Sequence, residues 1–407
     1  MELVTSLLKK NENKILLVVL DGLGDLPCKD GKTPLELANT PNLDKLVKES
    51  ATGRHIPVEF GITPGSGPGH LGIFGYEPKK YTIGRGVLEA LGVGLELKET
   101  DVAIRGNFAT VEYKNGEVVV IDRRAGRIPT EENKKLIAYL SEHIKKIDDA
   151  EVILHSGMEH RFVVVFRFPY PVSEEVETIN DTDPQVVGKS PLEPVGKGEF
   201  AEKVAKIAKK FVEKVAELLK DNKPANYALL RGFSVKPKMP TFEEKYGLKS
   251  ACIATYPMYK GLASLVGMEL IKFEGATIKD EIETLKKVWK DFDFVFLHIK
   301  KTDSYGEDGN YEAKVKIIEE FDSYLPELLS LKPAVLCITG DHSTPCKMKS
   351  HSWHPVPVLI KSPYVLGGLS ERFTEREVIK GELGMFYAIH LMPMLLAHAG
   401  RLKKFGA

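Results

Sequence analysis

The chain has 407 residues, and 57 Lys and Arg against 57 Asp and Glu give it a formal net charge of zero. That length is more than one ordinary hydrophobic core needs, so two domains, or one domain carrying a large insertion, are expected. The charge balance argues against a dedicated nucleic-acid binder, whose basic face would show as excess charge, and leaves only local sites for an anion.

The opening stretch, MELVTSLLKKNENK, has lysines after a short apolar run and no small-residue cleavage site, so it does not read as a signal peptide. No uncharged apolar stretch approaches the roughly 20 residues that span a bilayer. A cytoplasmic protein without a membrane partner is expected. Cys28, Cys252, Cys337 and Cys346 lack any Cys-x-x-Cys spacing, which excludes a zinc ribbon and argues against a disulfide framework.

The first clear element is KILLVVL (14–20), an apolar run rich in β-branched residues, as in a parallel strand buried on both faces. Asp21 follows it directly, and Gly22 and Gly24 in LDGLGD let backbone approach closely. A helical pattern near 42–50 leads to GITPGSGPGHLGIFGYEP (61–78). Ser66 lies there between two glycines, ahead of a helix, where free N–H groups and the helix dipole favour an anion. A metal would make its hydroxyl a nucleophile, although on its own the stretch reads as a flexible turn with an incidental serine. It is not a Gly-x-x-x-x-Gly-Lys-Ser/Thr phosphate loop. Nor does GRGVLEALG, in a helical pattern at 84–91, complete a dinucleotide fingerprint.

From about 105 to 246 the texture changes. NFATVEY, EVVVIDR and RFVVVFRF alternate as strands, and charged helices are expected at 131–146 and 199–220. Between those helices, the Pro/Gly/Asp-rich NDTDPQVVGKSPLEPVGKG reads as a functional loop or a linker. The expected architecture is an α/β domain of residues 1–104 and 247–407, with a mostly parallel sheet sandwiched by helices. An α+β insertion of residues 105–246 interrupts it.

Downstream, helical patterns at 279–290 and 310–330 alternate with the buried strands FDFVFLHI (292–299), AVLCIT (334–339) and VPVLI (356–360). In an open parallel sheet, ligands bind beyond the carboxyl ends of the strands. Those ends carry Asp21, then Asp303 and Glu307, then Asp341 and His342, while His351 and His354 stand just ahead of VPVLI. Singly, each is more often a helix cap, an Asx-turn or a structural histidine. If the four ends converge, with their charges unneutralised by nearby Lys or Arg, they call for one or two divalent cations.

Taken in order, LDGLGD, TPLELANTPNLDKL, GSGPGHLGIFGYEP, GRGVLEALGVG, NFAT, DRRAGRI, PANYALLRG, TDSYGEDGN, TGDHSTPC and HSWHPVPVLI cover nearly the whole chain. Together they resemble the cofactor-independent phosphoglycerate mutases of the archaeal type, in the alkaline phosphatase superfamily. The resemblance implies an alkaline phosphatase-like core that binds two divalent cations (Mn²⁺, Mg²⁺ or Zn²⁺) and an inserted domain that closes on 2- or 3-phosphoglycerate. It also implies interconversion of the two through a phosphoserine, without 2,3-bisphosphoglycerate, in glycolysis and gluconeogenesis. Asp21, Ser66, Asp341 and His342 match one metal site, with Ser66 as nucleophile. Asp303 and His351 match the second. Glu307 stands where the family's Asp-x-x-x-His has its imidazole, and a carboxylate there favours Mn²⁺ or Mg²⁺ over Zn²⁺. His354 reads either as a compensating ligand or as a structural residue before Pro355.

A mutase must keep glycerate bound while its phosphoryl group sits on the serine, so the insertion should carry a carboxylate clamp. Arginine forks suit both carboxylate and phosphate. The candidates are Arg105, Asn107, Asp122, Arg123, Arg124, Arg127, His160, Arg161 and Arg231, with Lys260 just outside the insertion. Arg123 and Arg127 of DRRAGR stand out, whereas Arg124 is free to point away. Asp122 would orient an arginine or exchange a proton with glycerate. Lys300 and Lys301 are further candidates for holding phosphate. A phosphomonoesterase or a homoserine kinase-like phosphotransferase would share the core motifs, and a metal-binding protein with decayed catalysis would show Glu307 as its symptom. The arginine-rich insertion and the full order of motifs favour the mutase. A cofactor-dependent mutase is disfavoured, because RHI at 54–56 lacks the glycine of an Arg-His-Gly motif.

Overall fold

In the computed structural model, which describes residues 2–114 and 116–406, the chain divides into two compact units: Met1–Thr82 with Met239–Ala407, and Ile83–Lys238. The first unit is built on an eight-stranded sheet. In spatial order its strands are Glu269–Leu270, Ser250–Ala254, Phe294–Ile299, Ile15–Leu20, Val335–Thr339, Val356–Lys361, Ala51–Ile56 and Gly384–Tyr387. The first five run parallel, Val356–Lys361 is antiparallel to both neighbours, and Gly384–Tyr387 pairs parallel with Ala51–Ile56. The fold is therefore α/β with a mostly parallel sheet, as expected.

The four apolar runs legible in the sequence are the four adjacent central strands. Every residue of Ile15–Leu20 and Phe294–Ile299 is buried, and each large aliphatic or aromatic side chain so buried contributes about 1.5–3 kcal/mol. Helices Ile278–Val288 and Tyr311–Ser330 supply Ile282, Leu285, Phe321 and Leu325 to one core with Leu16, Val18, Leu297 and Ile338 of the strands. Thr277 and Asp280 form a capping box that starts the first of these helices, and the Asn310 side chain accepts from Ala313 N to start the second.

The second unit is antiparallel. Strand Asp101–Lys114 pairs with Glu117–Asp122, Arg161–Arg167 and Tyr227–Val235, and Ala150–Ser156 extends the sheet beyond Arg161–Arg167. Helices Thr130–His143 and Glu199–Leu219 cover it with Leu136, Leu140, Phe211 and Val215. Its limits are 83 and 238 rather than the expected 105 and 246. Helix Arg85–Gly92 lies so close to this sheet that a Cβ on Gly86 would come 2.0 Å from Ala103 O and 2.6 Å from Gly232 O. Val87 N donates to Ser234 Oγ in the same unit. At the other boundary Lys245 Nζ donates to Gly75 O, and Tyr246 Oη to Phe74 O, which ties residues 242–246 to the first unit. Among the described residues no helix is long and apolar enough to cross a membrane.

One buried acid in the first unit makes stability depend on pH. Glu281 is 3% exposed, its Oε1 has no hydrogen-bond partner among the described residues, and burial pushes its carboxyl up to about 8. Its folded pKa lies above its unfolded value, so the native state holds an extra proton between the two, and stability falls as pH rises from about 4.5 to about 8. Glu281→Gln is expected to remove that loss, amounting to roughly 4 kcal/mol at pH 8. Urea unfolding of both proteins at pH 5 and pH 8 checks it, and an equal pH slope in the variant would refute it.

Candidate active site

Asp21 follows strand Ile15–Leu20, Asp341 and His342 follow Val335–Thr339, and Asp303 sits in the first turn of helix Lys301–Asp308, just after Phe294–Ile299. His351 precedes Val356–Lys361, whose antiparallel direction puts its N-terminal end at the edge where the parallel strands have their C-terminal ends. The four strand ends do converge. Asp21, Asp341 and His342 offer ligand atoms within 4.8 Å of one another, and so do Asp303, His342 and His351. His342 is common to both groups, and its ring stacks on that of His351 with centroids 3.6 Å apart.

Glycine makes this density possible at two positions. Gly22 has a φ of +60°, and a Cβ there would lie 2.4 Å from Thr344 Oγ1 and 2.7 Å from Asp303 Oδ1. A Cβ on Gly69 would lie 2.6 Å from Asp341 O. Its absence lets helix Ser66–Ile73 rest on the Asp341 backbone with Ser66 as its first residue. His70, one turn along, places Nδ1 2.8 Å from Ser66 O and 3.1 Å from Asp341 Oδ2. His351 Nδ1 donates to Pro64 O at 2.9 Å, which ties the serine loop to the second group.

These contacts also fix which ring nitrogens are free to bind a cation. A carbonyl only accepts, so His351 Nδ1 carries its proton and Nε2 points, unprotonated in the neutral ring, towards Asp303 and Glu307. The single hydroxyl proton of Thr344 goes to Asp303 Oδ1 at 2.5 Å, so His342 Nδ1, 3.0 Å away, donates to Thr344 Oγ1. His342 Nε2 then faces Asp21 Oδ1 at 3.3 Å and Asp341 Oδ2 at 3.2 Å. Donation from the distal ring nitrogen is how metal-binding histidines are oriented.

The electrostatics favour positive charge at the same place. Asp21 Oδ1, Asp341 Oδ2 and His342 Nε2 are buried and make no hydrogen bond among the described residues. Burial alone would raise Asp21, yet the close approach of the His298 and His342 rings and the charge of Lys300 hold it well below the usual carboxylate range. Burial opposes a charge on His342, but the Asp341 and Asp21 carboxylates outweigh it and raise that imidazole to about 9. The donor set of carboxylates and imidazoles fits one or two of Mn²⁺, Mg²⁺ or Zn²⁺.

One expectation is corrected here, since the acids are not free of basic neighbours. The Lys300 ammonium lies 3.0 Å from Asp21 Oδ2 and donates to Asp303 Oδ2, so it bridges the two groups. Burial disfavours its charge, but Asp21 and Asp303 outweigh that and raise its pKa. Lys301 is exposed.

Other candidates fall outside the convergence. Glu307 is 53% exposed, and its Oε1 lies 3.8 Å from His351 Nε2, at the rim of the second group rather than in it. His354 hydrogen-bonds Ser352 through Nδ1 and stacks on Trp353, a structural arrangement outside both groups. The residues not foreseen are His70, His298, Tyr259 and Thr344. His298 is fully buried, with Nε2 3.4 Å from Asp21 Oδ2 and its ring stacked 3.8 Å from that of Tyr259. The Ser66-x-x-x-His70 spacing was a legible signal, because positions i and i+4 share a helix face.

In the second unit, Arg105, Asn107, Arg123, Arg124, Arg127, Glu159, His160, Arg161 and Arg231 line one pocket of about 160 Å³. The Asp-rich loop proves to be its support. Asp183 accepts both forks of Arg123 at 2.7 and 2.8 Å, and Asp181 accepts Arg231 Nε at 3.0 Å. Asp122 does not line the pocket: its two oxygens accept Arg124 N and Gly126 N and so shape the DRRAGR turn. Arg105 Nε, Arg161 Nε, His160 Nδ1 and Asn107 Oδ1 are buried without hydrogen-bond partners among the described residues. Burial and the neighbouring Arg161 lower His160 to about 4, so the pocket pairs a neutral imidazole with clustered guanidinium groups, a set suited to a small anion. Lys260 belongs to helix Pro257–Leu265 of the first unit, where its ammonium lies over the Phe273 ring.

Residues 13–398 match the Metalloenzyme superfamily. An Aquifex aeolicus protein named "Probable 2,3-bisphosphoglycerate-independent phosphoglycerate mutase" is 66% identical over 100% of both chains. A Thermotoga maritima protein of the same name is 55% identical over 100% of this chain and 99% of its own. Among solved structures, a Pyrococcus horikoshii protein superposes with a TM-score of 0.81 at 35% identity, covering 97% of this chain and 99% of that one. The cofactor-independent phosphoglycerate mutase of Thermoplasma acidophilum gives 0.76 at 31% identity, covering 95% and 100%. With a relative two-thirds identical from end to end and a site built of carboxylates and imidazoles, the chain belongs to the metalloenzyme superfamily and, within it, to the family of 2,3-bisphosphoglycerate-independent phosphoglycerate mutases.

Proposed function

We propose that this enzyme interconverts 3-phosphoglycerate and 2-phosphoglycerate through a phosphoserine on Ser66, without 2,3-bisphosphoglycerate, in cytoplasmic glycolysis and gluconeogenesis. The observation that most supports this reading is the position of Ser66 at a helix N-terminus resting on Asp341, beside two ligand groups that share His342. Asp21, Asp341 and His342, with Ser66, would hold one divalent cation, and Asp303, His342 and His351 the other, with Glu307 within reach of the second. Mn²⁺ or Mg²⁺ bound there supplies Lewis acidity that neutralises the phosphate dianion and lowers the pKa of the serine hydroxyl.

Ser66 Oγ attacks phosphorus as the bond from phosphorus to the 3-oxygen of glycerate breaks, and the serine proton ends on the oxygen released. Helix N–H groups at the serine and the Lys300 ammonium offset charge on the transferring phosphoryl oxygens. The clustered guanidinium groups of the second unit's pocket suit the carboxylate of glycerate. The 2-hydroxyl then attacks phosphoserine and returns the proton to Ser66. Each half is a balanced transfer of one phosphoryl group, and water must stay out between them.

Metal-loaded protein given 3-phosphoglycerate without bisphosphoglycerate is expected to form 2-phosphoglycerate with no free phosphate. Phosphate release alone would instead establish a phosphomonoesterase. Arg161 Nε has no partner among the described residues, so Arg161→Ala is expected to raise KM about 10- to 100-fold, the loss of one charge-assisted hydrogen bond, with kcat less affected. An unchanged KM would remove Arg161 from the clamp.

A further inference from the structure

Behind the ligand groups lies a lysine that touches none of them. Lys314, in the first turn of helix Tyr311–Ser330, is 0% exposed. An ammonium has three N–H groups, and each has an acceptor: Gly22 O at 2.9 Å, Asp25 Oδ2 at 2.9 Å and Thr344 O at 3.0 Å. The first and third are carbonyls of two different strand-end loops. Gly22 N in turn donates to Asp341 Oδ1 at 3.2 Å. Thr344 bridges Asp303 and His342 through its hydroxyl, and Thr344 N donates to Gly24 O at 3.0 Å. Asp25, held by Lys314, accepts Cys346 N at 3.1 and 3.2 Å, and so fixes the far side of the Asp341-His342 loop.

We propose that Lys314 is a positioning residue of the metal centre: it clamps the loops after strands Ile15–Leu20 and Val335–Thr339 at one point, so that ligands from both, and Asp303 through Thr344, are preset for divalent cations. This rests on the metal-dependent reading above. A lysine serving only general stability would not need its three acceptors spread over the two loops that carry Asp21, Asp341 and His342. The carbonyls it draws together belong to residues that themselves orient ligands, and losing such outer supports costs about 10- to 100-fold in metal affinity.

The test compares wild type, Lys314→Met, and the double variant Asp25→Asn with Lys314→Met, which leaves no lone buried charge and so guards against failure to fold. Mn²⁺ binding is followed by the electron paramagnetic resonance of free Mn²⁺, and folding of the metal-free proteins by near-ultraviolet circular dichroism. Wild type is expected to bind Mn²⁺, and folded variant to bind it at least tenfold more weakly with a broadened bound-ion spectrum. Folded double variant with wild-type affinity and spectrum would overturn the role of Lys314 while leaving the metal reading intact. Wild type that binds no Mn²⁺ would overturn both.

Discussion

Ser66→Ala is expected to lower the rate of 3-phosphoglycerate isomerisation by roughly 10⁴-fold or more, because it removes the oxygen that carries the phosphoryl group between the two transfers of the proposed mechanism. The helix should survive the change. Its N-cap is Gly65, in extended geometry and with no side-chain capping bond, so the serine hydroxyl is not what starts Ser66–Ile73. Stability is therefore expected to stay within about 0.5 kcal/mol of wild type. Two measurements isolate the chemistry from binding. Mass spectrometry of acid-quenched enzyme should find a phosphorylated peptide at Ser66 in wild type and none in the variant, and the variant should still bind 3-phosphoglycerate. Isomerisation at near wild-type rate by Ser66→Ala would end the covalent mechanism.

Much of the architecture was legible because burial on both faces leaves a mark. ILLVVL and FVFLHI could hardly be anything but interior strands, and the acids at their ends followed from where parallel sheets bind ligands. Strands with mixed content were not legible. Ala51–Ile56 reads ATGRHI, and its place depends on pairing with Val356–Lys361, which no local pattern encodes. The boundary at 83 was missed for a similar reason: GRGVLEALG looks like any helix, and it is the approach of Gly86 to Ala103 and the Val87–Ser234 hydrogen bond that assign it to the second unit.

Within the site, residue type at a strand end singled out the acids and imidazoles that converge, while their supports stayed hidden. Thr344, His70, His298 and Lys314 act over separations that the chain does not display, and a lysine inside a charged amphipathic helix looks like one more solvated cation until it is found fully buried. Glu307 shows the converse. Four residues after Asp303 on a helix, it shares that residue's face, yet it lies at the exposed rim while His342 completes the group with Asp303 and His351.

That sharing of His342 leads to the second large effect expected. Asp341 is fully buried, with Oδ1 accepting Gly22 N and Oδ2 facing His70 Nδ1 at 3.1 Å and His342 Nε2 at 3.2 Å. Asp341→Asn keeps the size and can keep the acceptor for Gly22, but it removes the anionic oxygen from the first group only. The protein should fold, bind one Mn²⁺ equivalent instead of two, and lose roughly 10³-fold in activity, since a bound cation contributes several kcal/mol to phosphoryl transfer. His342→Ala should do more, because both groups lose a member: little Mn²⁺ is expected to remain after gel filtration. Metal content measured by plasma mass spectrometry distinguishes the two variants without reference to turnover. If Asp341→Asn retains both equivalents at wild-type affinity, or His342→Ala loses only one, the two groups do not share a ligand in the way their geometry requires.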